Sequence, residues 1–169
     1  FLMIRRPPRS TPSNSWQRQM CIRDRLGENC KYSGGNNYNQ AVCDFAQGHQ
    51  VVPVCPEVLG GLPTPRCPAE IVQGVVTNKE GINVDREFRA GAAKALAIAK
   101  ENGVELAILQ SRSPSCGVKE IYDGTFSGTK IPGQGVFAKM LMDEGIRVLD
   151  AGELPKIILK NEDGKCQSD

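Results

Sequence analysis

Leu106-Ala107-Ile108-Leu109 is a run of four apolar residues with no polar position among them, and it constrains the fold more than any other feature of the chain. A strand with one wet face alternates polar and apolar residues, so a strand apolar at every position must be covered on both faces. Cover on both faces means helices on each side of a sheet, the arrangement of α/β proteins with parallel strands. The flanking sequence agrees. Upstream, Asp85 to Glu101 carries Phe88, Ala92, Ala95, Leu96 and Ile98 at mostly helical spacing and stops at Asn102-Gly103. Downstream, Gln110-Ser111-Arg112-Ser113-Pro114-Ser115-Cys116-Gly117 is a polar loop. Ligands of such folds sit beyond the carboxyl ends of the strands, where that loop begins.

The rest of the body alternates in the same way. Asn36 or Asn37 is placed to cap a short helix reaching Gln47, with Tyr38, Val42, Phe45 and Ala46 on one face. Val51 to Val54 reads as a strand that Pro53 confines to an edge or a strand end. Ile71 to Thr77 reads as a strand or hairpin arm, Val136 to Glu144 as a helix, and Ile146 to Leu149 as a last strand. The expectation is one α/β domain over residues 26–160, a small mostly parallel sheet flanked by helices with ligand loops at the carboxyl ends of its strands. A polar tail follows over residues 161–169. Between Cys55 and Glu70 lie 16 residues with four prolines, two glycines and no period; a stiff loop of that length inside a compact domain usually has a function.

Composition matters most at the amino end. The chain has 169 residues, enough for one domain, and 40% hydrophobic with 24% charged residues excludes wholesale disorder. No apolar run approaches 18 residues, so no spanning helix is expected. The net charge of +2 hides an asymmetry: residues 1–25 hold six arginines against Asp24, a local net of +5, and the remainder carries −3. This segment has three prolines and no period. It fits a basic nucleic-acid-binding arm, an organellar transit peptide, or an extension foreign to the natural protein. IRRPPRST and MCIRDR resemble translated sequencing-adapter read-through, so residues 1–25 are expected to be a non-native or disordered basic extension outside the fold. A nucleic-acid partner would rest on these arginines alone, because the body is acidic and poor in aromatics. Neither nucleic acid nor a membrane is expected as a partner.

Seven cysteines occur, at positions 21, 30, 43, 55, 67, 116 and 166, with no secretory hydrophobic segment before them. A reducing, cytoplasmic setting and free thiols are therefore expected. Cys43 falls mid-helix, where it serves as a small hydrophobe. Cys30, Cys55, Cys67 and Cys116 lie in Gly- or Pro-rich loops. The sequence has no CxxC or HxxxH pair, and His49 stands alone, which disfavours a compact zinc motif. Single cysteines spread one per loop suit an iron-sulfur cluster as well as zinc. Pro56 fixes the backbone after Cys55 and projects Glu57 beside it; Gly117 does similar service after Cys116, allowing positive φ or close approach. Glu57 then reads as an acid/base or as a turn cap, and Ser113 as a water-orienting hydroxyl or a local backbone bond. Arg66 and Lys119 read first as surface cations, and Gly133-x-Gly135 lacks the third glycine of a dinucleotide loop.

The segments LGENCKYSGGNN, VPVCPEVLGGLPTPRCPAEI, AILQSRSPSCG, IYDGTF and GQGVFAKML together resemble a family of small bacterial domains, long of unknown function, that includes the thiouracil desulfidases. The resemblance spans Leu26 to Leu149. It implies a 4Fe-4S enzyme that removes sulfur from thiolated uracil or a related small thio-compound without redox change, three cysteines holding three irons and the open iron taking the substrate sulfur. By position it implies Cys55 and Cys116 as ligands, Glu57 as the acid and Ser113 as the serine. The family pattern CLLG has its cysteine where this chain has Asp24. Cys30, a second cysteine of the opening loop, is then the candidate third ligand, and the chain is expected to be a desulfidase impaired by the missing cysteine. The alternative on the same cysteines is a non-enzymatic iron-sulfur or zinc protein acting as a sulfur or redox sensor.

Overall fold

The computed structural model describes residues 26–154 and the backbone of Arg18–Ile22. In chain order the elements are β1 (Arg18–Ile22), α1 (Gln40–Ala46), β2 (Gln50–Val54), α2 (Pro56–Leu59), β3 (Ala69–Val72) and β4 (Val75–Asn78), then α3 (Asp85–Glu101), β5 (Leu106–Leu109), β6 (Glu120–Tyr122), β7 (Lys130–Pro132), α4 (Val136–Asp143) and β8 (Arg147–Asp150). A four-stranded sheet in the order β2-β1-β5-β8 forms the centre. Its three pairings are parallel. Two antiparallel ribbons, β3-β4 and β6-β7, stand apart from it, so the expectation of one mostly parallel sheet is corrected to a mixed set of three.

All four residues of β5 are buried. On one side Ala107 and Leu109 join Val54, Ala92, Ala95, Phe137 and Leu141; on the other, Ile108 joins Val42, Ala151 and Leu154. That two-sided cover is what the run LAIL requires. Pro53 of β2 sits on an edge strand, where a missing N–H costs no ladder bond. The helix over 85–101 forms with the expected bounds, and Asn39, not Asn36 or Asn37, caps α1 by accepting the Val42 N–H at 3.2 Å.

Two expectations change. Arg18–Ile22 lies inside the first 25 residues, yet it forms the strand between β2 and β5, so residue 25 is not the edge of the fold. Asp24 and the tail over 161–169 lie outside the described residues. The 16-residue loop after β2 holds a short helix, α2, that packs on α3 through two glycines. A Cβ on Gly60 would overlap the Glu87 carbonyl oxygen, and one on Gly91 would overlap that of Pro56. Backbone therefore meets backbone, and this contact sets where Cys55 and Glu57 stand. Among the described residues no helix is long and apolar enough to cross a membrane.

Candidate active site

The loops after β2 and β5, together with the opening loop around Cys30, enclose a cavity of about 540 Å³. Cys30, Cys55 and Cys116 all line it and are 8, 7 and 3% exposed. Glu57, Ser113 and Ser115 line it too. The structure thus gathers all five site residues expected from the sequence, and adds Ser115 and Arg66. Cys67 also lines the cavity, and Cys43 does not. His49 stacks on Phe45 and donates Nδ1–H to the Phe45 carbonyl at 2.8 Å, a structural post.

Each site loop is fixed by its own backbone chemistry. Cys55 is the N-cap of α2, with Pro56 at the first helical position. The N-terminus of α4 holds the Ser113–Cys116 loop: the N–H groups of Val136, Phe137 and Ala138 donate to the carbonyls of Pro114 and Ser115 at 2.9, 2.8 and 3.1 Å. These are donors a helix start leaves without partners. Gly135 permits the approach, since a Cβ there would lie 2.5 Å from the Ser115 carbonyl oxygen. Gly133-x-Gly135 is therefore a packing device. Gly117 likewise lets the chain close on the Ser113 and Glu120 carbonyls; the residue that takes positive φ in this loop is Arg112, at 62°.

A hydrogen-bonded bar crosses the site. Arg66 donates Nε–H to Glu57 Oε2 at 2.7 Å and Nη2–H to the same oxygen at 2.5 Å. Its Nη2 also donates to the Cys30 carbonyl at 3.0 Å, and its Nη1 to Pro63 O and Thr64 Oγ1, each at 3.2 Å. Glu57 Oε1 accepts from Ser115 Oγ at 2.9 Å and lies 3.3 Å from Ser113 Oγ. Ser115 Oγ is 3.4 Å from Cys116 Sγ. The bar ties together the three loops that carry Cys30, Cys55 and Cys116. Arg66 is not the surface cation expected, whereas Lys119 is, paired with Glu153 on the exterior.

The Cys55 thiol is chemically prepared as well. A hydrogen bond from Cys30 lowers the Cys55 pKa to about 7; burial and the Glu57 charge push it up, and the Val58 N–H and Arg66 pull it down. A thiolate fraction at neutral pH is what a metal ligand needs. Among the described residues no three His, Cys, Asp or Glu side chains converge on a point where one ion would sit. Thiolates are the usual ligands of an iron-sulfur cluster, and Cys30, Cys55 and Cys116 supply three thiols to one cavity wall.

The 2-thiouracil desulfurase family profile matches residues 21–153. The chain belongs to the 2-thiouracil desulfurase family. The chain is similar to the uncharacterized protein YbbK of Bacillus subtilis (strain 168), 40% identical over 142 residues, which cover 78% of this chain and 94% of that protein. Among solved structures, the 4Fe-4S-dependent thiouracil desulfidase TudS superposes with a TM-score of 0.76 at 35% identity, over 86% of this chain and 98% of its own. The family match begins at Cys21, inside β1, in agreement with that strand's place in the sheet.

Proposed function

We propose that this desulfurase-family chain hydrolytically removes sulfur from a thiolated uracil or a related small thio-compound, with a 4Fe-4S cluster held by Cys55, Cys116 and Cys30. The observation that carries this is the meeting of three buried thiols and a carboxylate on one cavity wall. When bound, the cluster would supply a Lewis-acid iron for the substrate sulfur. The protein's own part is proton handling and orientation. Arg66 holds the Glu57 carboxylate in place by occupying Oε2, which leaves Oε1 to accept a proton. Ser113, the half-buried hydroxyl at the cavity wall, orients the attacking water. The cavity suits a small molecule in volume, and a cytoplasmic enzyme without a nucleic-acid partner fits the acidic body.

The test is anaerobic reconstitution of the full chain with iron and sulfide, followed by incubation with 2-thiouracil. Cluster absorption and release of sulfide with formation of uracil are expected. Because Asp24 stands where the family has a cysteine, Asp24→Cys is run in parallel and should load more cluster. Cys55→Ser and Cys116→Ser should lose the cluster. Glu57→Gln and Ser113→Ala should keep it and turn over roughly 10²–10⁴-fold more slowly. Stoichiometric zinc with no cluster would support the sensor alternative, and a loaded protein that releases no sulfide would remove the substrate assignment.

A further inference from the structure

Ser115 is 1% exposed, and a buried hydroxyl must place its single hydrogen on a partner inside the protein. Donor and acceptor counts, with the distances, favour one direction for the bonds around it. Ser113 Oγ accepts the backbone N–H of Ser115 at 3.2 Å and of Cys116 at 3.3 Å. Its own hydrogen must therefore point away from them, and Ser115 Oγ at 2.9 Å is nearer than Glu57 Oε1 at 3.3 Å. Ser115 in turn has two acceptors within reach, Glu57 Oε1 at 2.9 Å and Cys116 Sγ at 3.4 Å. The carboxylate oxygen is the stronger acceptor. Arg66 already occupies Oε2, so the chain Ser113 to Ser115 to Glu57 ends on Oε1. The link does not wander, because the Ser115 carbonyl is held by the Phe137 and Ala138 N–H groups.

We propose that Ser115 is the buried link of a proton relay that carries a proton from the cavity, through Ser113, to Glu57. The relay rests on the hydrolytic function proposed above. As the water oxygen bonds to the thiocarbonyl carbon, the water gives a proton to Ser113 Oγ. Ser113 passes its own hydrogen to Ser115, and Ser115 passes its hydrogen to Glu57 Oε1. One O–H bond breaks at water and one forms at Glu57; both serines finish as neutral hydroxyls, and the C=S π pair moves onto sulfur. Water is the only co-reactant. The two backbone bonds to Ser113 are long, so its oxygen can yield a lone pair to the incoming water. Ser113 is the end that touches solvent and Ser115 the conductor behind it.

Ser115→Ala and Ser115→Thr in the reconstituted full chain test the relay. Ser115→Ala should keep cluster absorption and thermal midpoint, leave KM within about twofold, and lower kcat by about 10–100-fold. Ser115→Thr, which keeps the hydroxyl, should recover most of that loss. The rate plotted against deuterium fraction should curve in the wild type, with several protons moving together, and straighten in Ser115→Ala. In cluster-free protein the Glu57 carboxylate infrared band, assigned with Glu57→Gln, should shift in Ser115→Ala and stay in Ser115→Thr. Unchanged kcat and an unmoved band in Ser115→Ala overturn the relay while leaving the function standing. Equal losses in both variants with a lowered thermal midpoint overturn it in favour of packing. A loaded wild type that releases no sulfide overturns the function and the relay together.

Discussion

Arg66 places its guanidinium wholly inside the protein: its Nε and both Nη groups donate to Glu57, Cys30, Pro63 and Thr64. Its side chain is 8% exposed and that of Glu57 14%. Removing one partner of such a pair strands the other charge away from water, which typically costs about 3–5 kcal/mol. Arg66→Met is therefore expected to lower the urea midpoint strongly without changing the slope of the transition, read by circular dichroism. Arg66→Lys should recover part of the stability, since it restores the charge and not the fork. The sequence shows Arg66 and Glu57 nine residues apart in a proline-rich stretch, and nothing in that spacing says that the loop folds back on itself. Loop position marks Cys30, Cys55 and Cys116 in the sequence, the family resemblance adds Glu57 and Ser113, and the structure places all five on one cavity. Ser115 was not, because a second serine two residues from the first carries no signal until burial removes its solvent.

At the scale of elements, the α2–α3 contact connects core packing to the site. Gly91→Ala would gain about 1 kcal/mol of helix propensity, yet its methyl would overlap the Pro56 carbonyl, and overpacking of this kind costs roughly 1–3 kcal/mol. A net destabilisation of about 1 kcal/mol is expected by thermal melting, with poorer cluster loading because α2 carries Glu57 and is capped by Cys55. The start of α3 gives a pH signature. Partial burial works against the Asp85 charge, but the hydrogen bonds from Arg89 and the Val76 N–H outweigh it and hold its carboxyl below the usual aspartate range. A depressed carboxyl pKa stabilises the fold above the unfolded value, near 4, and that contribution fades as pH falls through the folded value. Asp85→Asn should cost about 0.5 kcal/mol at pH 7 after solvent screening, with the difference from wild type narrowing between pH 5 and 3 in urea titrations. Long or uniformly apolar elements such as α3 and β5 were legible from period and run length. Four-residue α2 and the three-residue strands of β6-β7 are too short to show any period.

For the whole molecule, the amino-terminal strand decides whether there is a sheet at all. β1 pairs with β2 over five positions, from Arg18 with Gln50 to Ile22 with Val54, and with β5 over three, from Gln19 with Leu106 to Cys21 with Ile108. It joins the strand that leads into Cys55 to the strand that leads into Ser113 and Cys116. The sequence conceals it, because Met20-Cys21-Ile22 is a run of only three apolar residues between Gln19 and Arg23, and the neighbours on each side supply what local propensity lacks. Removing residues 1–22 would leave β2 without a strand partner and expose the edges of β2 and β5, each with unpaired backbone groups. The truncated chain is accordingly expected to lose cooperative thermal unfolding and to aggregate, although the acidic residues that remain carry every described site residue. A truncated protein that melts in one sharp transition near the full-length midpoint would show that β1 is dispensable. Loss of that transition would show that the fold runs through the segment whose composition looks least like part of it.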